Sequence, residues 1–372
     1  MKKIGITGQK GFIGQHLFNT LKLKTKDFQL IEFNKEYFND VKNLDHFVSE
    51  CDVIIHLASK NRYENHEILY QTNVDLTNKL INSLKRVKSK AHVIFSSSTQ
   101  EENESPYGKS KVEARANLTK WAEETQGKFT GLIIPNVFGP FGHPYYNSVI
   151  ATFSHQLANN EPCEVKVDSL VKLIYVGELV DQILEIIDCE IFKDYLEIGH
   201  TYEIKVSDLL RILQNYKENY FENGVISNLN NTFELNLFNT FRSYINVAKY
   251  FPKKYLKHTD NRGVFSELIR LNIGGQVSFS ETMPGMTRGN HFHIRKIERF
   301  AVIKGKALIQ LRKTGTTEKI ELYLSGDEPA YVDMPIWYTH NMKNIGNEPL
   351  FTVFWINEFY KPEDSDTYFE LV

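Results

Sequence analysis

The chain has 372 residues and 43.2 kDa, with 41% hydrophobic and 24% charged residues, a globular composition long enough for two domains. These proportions exclude a disordered, collagen-like or membrane-spanning protein. With 44 Lys+Arg against 46 Asp+Glu and no block of like charge, neither nucleic acid nor an anionic membrane is expected as a partner. The apolar run after Lys2 and Lys3 is too short for a signal peptide, and Cys51, Cys163 and Cys189 are odd in number and widely spaced; together they point to a reducing cytoplasm.

Residues 3–7 read as a strand and 15–24 as a helix with apolar positions at Leu17, Leu21 and Leu23. Between them lies Thr7-Gly8-Gln9-Lys10-Gly11-Phe12-Ile13-Gly14, a G-x-x-G-x-x-G loop. Glycines there let the backbone turn tightly against a pyrophosphate, whose charge then rests on the helix N-terminus. Strand-like segments recur at 29–33, 53–57, 93–97 and 132–134 with helical stretches between, which predicts a Rossmann-like doubly wound parallel sheet. The second strand ends in Phe33-Asn34-Lys35, without the carboxylate that holds a ribose 2′-hydroxyl, whereas Lys10 and Lys35 can meet a 2′-phosphate. NADPH is the expected coenzyme.

The strand 93–97 runs into Ser98-Thr99, and Tyr107-Gly108-Lys109-Ser110-Lys111 follows at the head of a long helix. Tyr107 and Lys111, four apart, leave the same helix face. A phenol exchanges protons poorly at neutral pH unless an adjacent ammonium stabilises its anion, which this spacing provides, and a hydroxyl from the strand end can hydrogen-bond the same substrate oxygen.

Residues 1–245 resemble an extended short-chain dehydrogenase/reductase of the nucleotide-sugar branch. The resemblance rests on the glycine loop, His56-Leu57-Ala58, Ser96-Ser97-Ser98, Tyr107 to Lys111 and Pro135-Asn136-Val137-Phe138-Gly139-Pro140, in that order. It implies Tyr107 as proton donor or acceptor at a sugar keto or hydroxyl group, and Lys111 on the nicotinamide ribose, lowering the tyrosine pKa. Ser98 would orient the substrate, Asn136 would bind it, and Leu57 and Ala58 would flank the coenzyme. Two departures stand out: Ile133 where the branch often has arginine, and Thr99-Gln100 where sugar 4,6-dehydratases carry an acid pair, which argues against dehydration.

The chain turns asparagine-rich and then basic and aromatic through 249–257, which places a boundary near Asn246 and a second domain at 246–372. Short strand patterns at 277–281, 299–303, 307–312, 319–324, 330–334 and 351–356 predict a small all-β barrel. Within it, Gly285, His291, His293, Glu298 and Gly305 read G-x5-H-x-H-x4-E-x6-G. In a strand, 291 and 293 share a face, and with His340 they offer three nitrogens and a carboxylate to a divalent metal, zinc being the expected one among Zn, Fe, Mn and Ni. This block resembles the cupin superfamily, with Trp337 where the second motif usually has glycine. The segments Asp260-Asn261-Arg262-Gly263 and Arg288-Gly289-Asn290-His291 are similar to sugar-nucleotide 3,5-epimerases, which implies Arg262 and Arg288 as substrate-binding residues and His291 as a catalytic one. Those enzymes usually carry glutamine in place of His293, so here a metal can polarise the keto oxygen in place of, or beside, histidine base chemistry.

As a whole the chain resembles bifunctional enzymes of capsular polysaccharide synthesis in the UDP-N-acetyl-L-fucosamine pathway. The resemblance implies a UDP-sugar substrate: the cupin would epimerise carbon 3 of a UDP-2-acetamido-2,6-dideoxy-4-hexulose. The reductase would then reduce the 4-keto group to UDP-2-acetamido-2,6-dideoxy-L-talose. The order follows from chemistry, since a proton alpha to a ketone loses its acidity once the ketone is reduced. Two alternatives are a single-activity reductase or epimerase whose cupin only binds sugar or builds an interface, and a cupin oxygenase, which the Arg262 and Arg288 segments disfavour. A homodimer is expected.

Overall fold

The computed structural model describes the chain except residues 262, 267 and 270–272 and the side chains of 263–265. By compactness it forms two units, one of Met1–Phe138, Gly142–Val149 and Ser169–Lys205, the other of Gly139–Phe141, Ile150–Asp168 and Val206–Val372.

In the first unit six strands form one parallel sheet, in the order Phe28–Ile31, Lys2–Thr7, Val53–His56, His92–Ser98, Lys128–Ile134 and Lys193–Glu197. Parallel strands covered on both sides read as near-continuous apolar runs, and Val53–His56 is buried at all four positions. Alternation then divides the core between the two faces. Ile4, Ile6, Ile55 and Ile94 join Leu17, Leu21, Leu179 and Ile183 from helices Phe12–Leu23 and Val176–Asp188. Ile54, Val93 and Phe95 join Phe47, Leu80, Leu118 and Trp121 from helices Val41–Glu50, His66–Arg86 and Pro106–Thr125. The expected doubly wound sheet is present. Its strand ends differ from the sequence expectation by a few residues, most at Lys128–Ile134, whose Lys-Phe-Thr-Gly start breaks the apolar run.

The second unit carries two antiparallel five-stranded sheets. One runs Lys253–Lys254, Ala330–Met334, Glu298–Lys304, Leu350–Ile356, Gln276–Thr282; the other runs Lys319–Ser325, Lys306–Lys313, Tyr338–Asn344, Thr287–Phe292, Tyr368–Phe369. Side chains of both sheets meet where Phe300 and Glu298 reach His340. All six predicted β segments are strands. The helices Val206–Tyr216 and Thr232–Arg242 pack in this unit through buried polar groups: Arg299 forks onto Asp333, Tyr220 donates to the same carboxylate at 2.8 Å, and Arg242 bonds Tyr220 Oη and the Met334 carbonyl. Among the described residues no helix is long and apolar enough to cross a membrane.

Candidate active site

In the first unit the strand ends open on a cavity of about 590 Å³. Its lining includes Gly8, Gly11, Phe12, Ile13 and Gly14 from the glycine loop together with Leu57, Ser98, Tyr107 and Asn136. The loop reaches this shape because Gly14 has no side chain: a Cβ there would collide with the Gly8 carbonyl oxygen. Thr7 is tied directly to Ala58 and, on its other side, to a buried histidine. Ala58 N–H donates to Thr7 Oγ1, whose hydroxyl lies 2.7 Å from His56 Nδ1, and His56 Nε2 lies 3.2 Å from Thr77 Oγ1, which donates to the Asn73 carbonyl. Those directions assign the proton to Nε2, and burial, aided by Lys111, holds His56 neutral with a pKa of about 3. Asn73 extends the chain of bonds to the helix of Tyr107 and Lys111, since its amide donates to Ser110 Oγ, which donates to the Tyr107 carbonyl.

That helix, Pro106–Thr125, starts where Ser105 Oγ accepts the Gly108 N–H and Pro106 takes the first position. Lys111 is buried, and its ammonium donates to the Ser96 carbonyl at 2.8 Å, 5.5 Å from the centre of the Tyr107 ring. Burial pushes Lys111 down to about 7, opposed by Glu101. Burial also pushes the Tyr107 phenol up, reinforced by Tyr146 and opposed by a hydrogen bond with Ser59. Ser98 Oγ accepts the Gln100 N–H, which leaves its own proton to donate.

Lys10 and Lys35 are exposed and absent from the cavity lining, and Lys35 lies 3.7 Å from Glu36. Sequence reasoning missed Ser59, Asn61, Arg62, His143 and Tyr146, which line the cavity from the segments just beyond the Leu57-Ala58 and Asn136-Val137 motifs. Tyr146 Oη accepts the N–H groups of Asn61 and Arg62 at 3.2 and 3.3 Å. Glu101, two residues beyond Thr99, is absent from that lining: it accepts from Ser97 Oγ and is clamped by Arg115 at 2.8 and 2.9 Å. A carboxylate so engaged is no free acid for dehydration.

In the second unit His291, His293, Glu298 and His340 place one potential ligand atom each within 4.8 Å of one another. The strand Thr287–Phe292 bends to allow this. Gly289 and Asn290 take φ of 96° and 60°, the register shifts between Gly289 and His291, and His293 lies just past the strand end; the shared strand face expected from sequence is replaced by a bulge and a turn. His293 and His340 each donate the Nδ1 proton to a backbone carbonyl, of Asp366 and Tyr338 respectively. In His293 and His340 this leaves Nε2 facing Glu298 Oε2, at 3.1 and 3.3 Å. Burial lowers His291 to about 4, with His340 and His293 pushing the same way. Burial opposes ionisation of Glu298, yet His293 and His340 hold its carboxyl below the ordinary range. Three imidazoles and an ionised carboxylate whose ligand atoms converge within 4.8 Å fit a divalent cation. Arg288 is exposed, bonded to Thr282 Oγ1 and the Glu281 carbonyl, and Arg262 lies outside the described residues.

Residues 4–196 match the family model "NAD dependent epimerase/dehydratase family" and residues 258–368 match "Polysaccharide biosynthesis C-terminal domain". A Pseudomonas aeruginosa protein named UDP-2-acetamido-2,6-beta-L-arabino-hexul-4-ose reductase is 29% identical over 98% of both chains. The spore coat polysaccharide biosynthesis protein SpsL of Bacillus subtilis is 31% identical over 31% of this chain and 82% of its own. The crystal structure of the capsular polysaccharide assembling protein CapF from Staphylococcus aureus covers all of both chains at 33% identity and a TM-score of 0.63. The chain thus belongs to the NAD dependent epimerase/dehydratase family, in the two-part form that the CapF structure shares.

Proposed function

We propose that the chain is a bifunctional nucleotide-sugar enzyme of capsule or surface polysaccharide precursor synthesis, working as a cytoplasmic homodimer. The second unit is a cupin that epimerises carbon 3 of UDP-2-acetamido-2,6-dideoxy-4-hexulose. The first unit then reduces the 4-keto group with NADPH to UDP-2-acetamido-2,6-dideoxy-L-talose. The observation that carries this reading is the pairing, on one chain, of a cavity holding Ser98 and Tyr107 with a buried His3Glu cluster. The whole-length likeness to a protein named a hexul-4-ose reductase supports the substrate class.

In the reduction, hydride adds to carbon 4 while Tyr107 hands its hydroxyl proton to the oxygen that becomes the alcohol. Ser98 donates a hydrogen bond to that oxygen, and Lys111 beneath Tyr107 balances the charge left on the phenolate. In the epimerisation, His291, His293, Glu298 and His340 would hold a divalent metal, zinc by their chemistry. A bound cation there supplies electrophilic polarisation of the keto oxygen, which acidifies the proton at carbon 3.

The test is incubation with the 4-keto sugar nucleotide in deuterium oxide, with and without NADPH. His291→Ala should abolish deuterium entry at carbon 3 and still oxidise NADPH with the pre-epimerised ketone, and Tyr107→Phe should do the reverse. Loss of both activities in both folded variants would overturn the division of labour. Reduction by wild type without any exchange would leave a single-activity reductase with a non-catalytic cupin.

A further inference from the structure

The segment after the last long strand returns to the His3Glu cluster. Asp366, 4% exposed, presents its main chain and side chain to the same turn. Its carbonyl oxygen accepts the His293 Nδ1 proton at 2.6 Å. Its carboxylate accepts three consecutive backbone N–H groups, Ile294 at 3.1 Å, Arg295 at 3.1 Å and Lys296 at 2.8 Å. The Lys296 ammonium reaches back to the Ser365 carbonyl. Beyond Asp366, Tyr368–Phe369 pairs with the strand that carries His291, opposing Phe369 to His291 and Tyr368 to Phe292. Glu370 then fastens the end, accepting from Thr339 Oγ1 at 2.8 Å and Arg312 Nη2 at 2.9 Å.

We infer that Asp366 is the positioning residue of the divalent-metal centre, and this rests on the reading of the cluster as such a centre. A metal-binding imidazole must present one nitrogen unprotonated and point it at the ion; the partner of its other nitrogen sets both the tautomer and the aim. For His293 that partner is the Asp366 carbonyl. The carboxylate keeps the carbonyl in place, because three N–H groups of the turn that follows His293 converge on it. A charged acceptor for consecutive N–H groups is stronger than the water that would replace it in an unlatched tail. The C-terminal tail is thereby a latch on the centre, although it supplies none of the ligands.

The experiment uses the full chain, stripped of metal and titrated with zinc alone, and with cobalt alone for its ligand-field spectrum. Asp366→Ala should weaken zinc binding by about 10- to 100-fold, the range for loss of such outer partners, and should alter the cobalt spectrum. Asp366→Asn, which keeps one acceptor oxygen, should lie between. Glu370→Gln loosens the tail away from His293 and should lower Tm while leaving zinc affinity and the cobalt spectrum as in wild type. Unchanged zinc affinity and spectrum in Asp366→Ala or Asp366→Asn would overturn the inference. So would a loss in Glu370→Gln that tracks Tm, since that is what general loosening produces. Failure of wild type to bind either ion would sink the metal reading itself, a result distinct from wild-type binding that the variants share.

Discussion

Glu298 and Arg299 are consecutive on one strand, yet Glu298 turns to His293 and His340 at 3.1 and 3.3 Å, while Arg299 turns the other way onto Asp333 at 2.6 and 2.8 Å. The period of two in a strand sends neighbours to opposite faces, so the strand that carries the carboxylate of the cluster also anchors the helical segment. Arg299 and Asp333 are 2% and 0% exposed, which puts this pair in the class where removing one partner strands a buried charge.

Asp333→Ala should therefore cost about 3–5 kcal/mol of unfolding free energy, read by urea denaturation. The replacement Arg299→Met with Asp333→Leu should recover part of that loss, because the Arg299 charge is no longer stranded, while Tyr220 stays to accept from Arg242. A loss below about 1 kcal/mol in Asp333→Ala would show that water reaches the pair.

Lys111 gives a pH signature. Burial lowers its folded-state value from 10.5 to about 7, so between those values the unfolded chain holds a proton that the folded chain lacks. Stability then rises with pH in that window and is lost as pH falls towards 7. Between pH 7 and 9 the coenzyme-free protein should gain about 1–2 kcal/mol relative to Lys111→Met, measured by denaturant unfolding at several pH values. Parallel pH profiles for the two proteins would contradict a buried, deprotonating Lys111.

Coenzyme choice can be tested at Lys10 and Lys35, both exposed, with Lys35 beside Glu36 at 3.7 Å. Lys10→Glu or Lys35→Glu should raise KM for NADPH about tenfold or more, the scale of a charge-assisted hydrogen bond, and alter KM for NADH far less. Equal losses with both coenzymes would place the lysines elsewhere in binding.

Much of this site is written locally in the sequence. The glycine loop, Ser98, Tyr107, Lys111 and the four-residue His/Glu cluster are short-range patterns whose spacing carries their geometry. Other parts depend on segments that meet only in the fold. Tyr146 faces Asn61 and Arg62 across 85 and 84 positions, and Asp366 meets His293 across 73. Glu101, which no sequence motif singles out, is clamped by Arg115 from the following helix, 14 residues on. The bulge at Gly289-Asn290 was hidden for a different reason, since a histidine pair at spacing two fits a regular strand equally well.

Trp337 shows how a departure from a motif is accommodated. It stands where glycine is usual, and its φ of 61° is the left-handed conformation that glycine adopts freely, so the turn keeps its shape at a strain of roughly 1–3 kcal/mol. Its side chain offsets that strain, being 6% exposed and stacked on Phe292 at 5.5 Å; the backbone N–H of Trp337 donates to the His293 carbonyl at 2.7 Å and its backbone carbonyl accepts from the Thr314 N–H. Truncating a large buried aromatic typically costs about 3–5 kcal/mol. Trp337→Gly should thus destabilise the protein by about 1–3 kcal/mol net even though it removes the strain, whereas Trp337→Ala, which keeps the strain and loses the ring, should cost about 1 kcal/mol more. Urea denaturation of the two variants checks the order. A Trp337→Gly protein more stable than wild type would mean that the ring contributes less than the backbone strain it imposes.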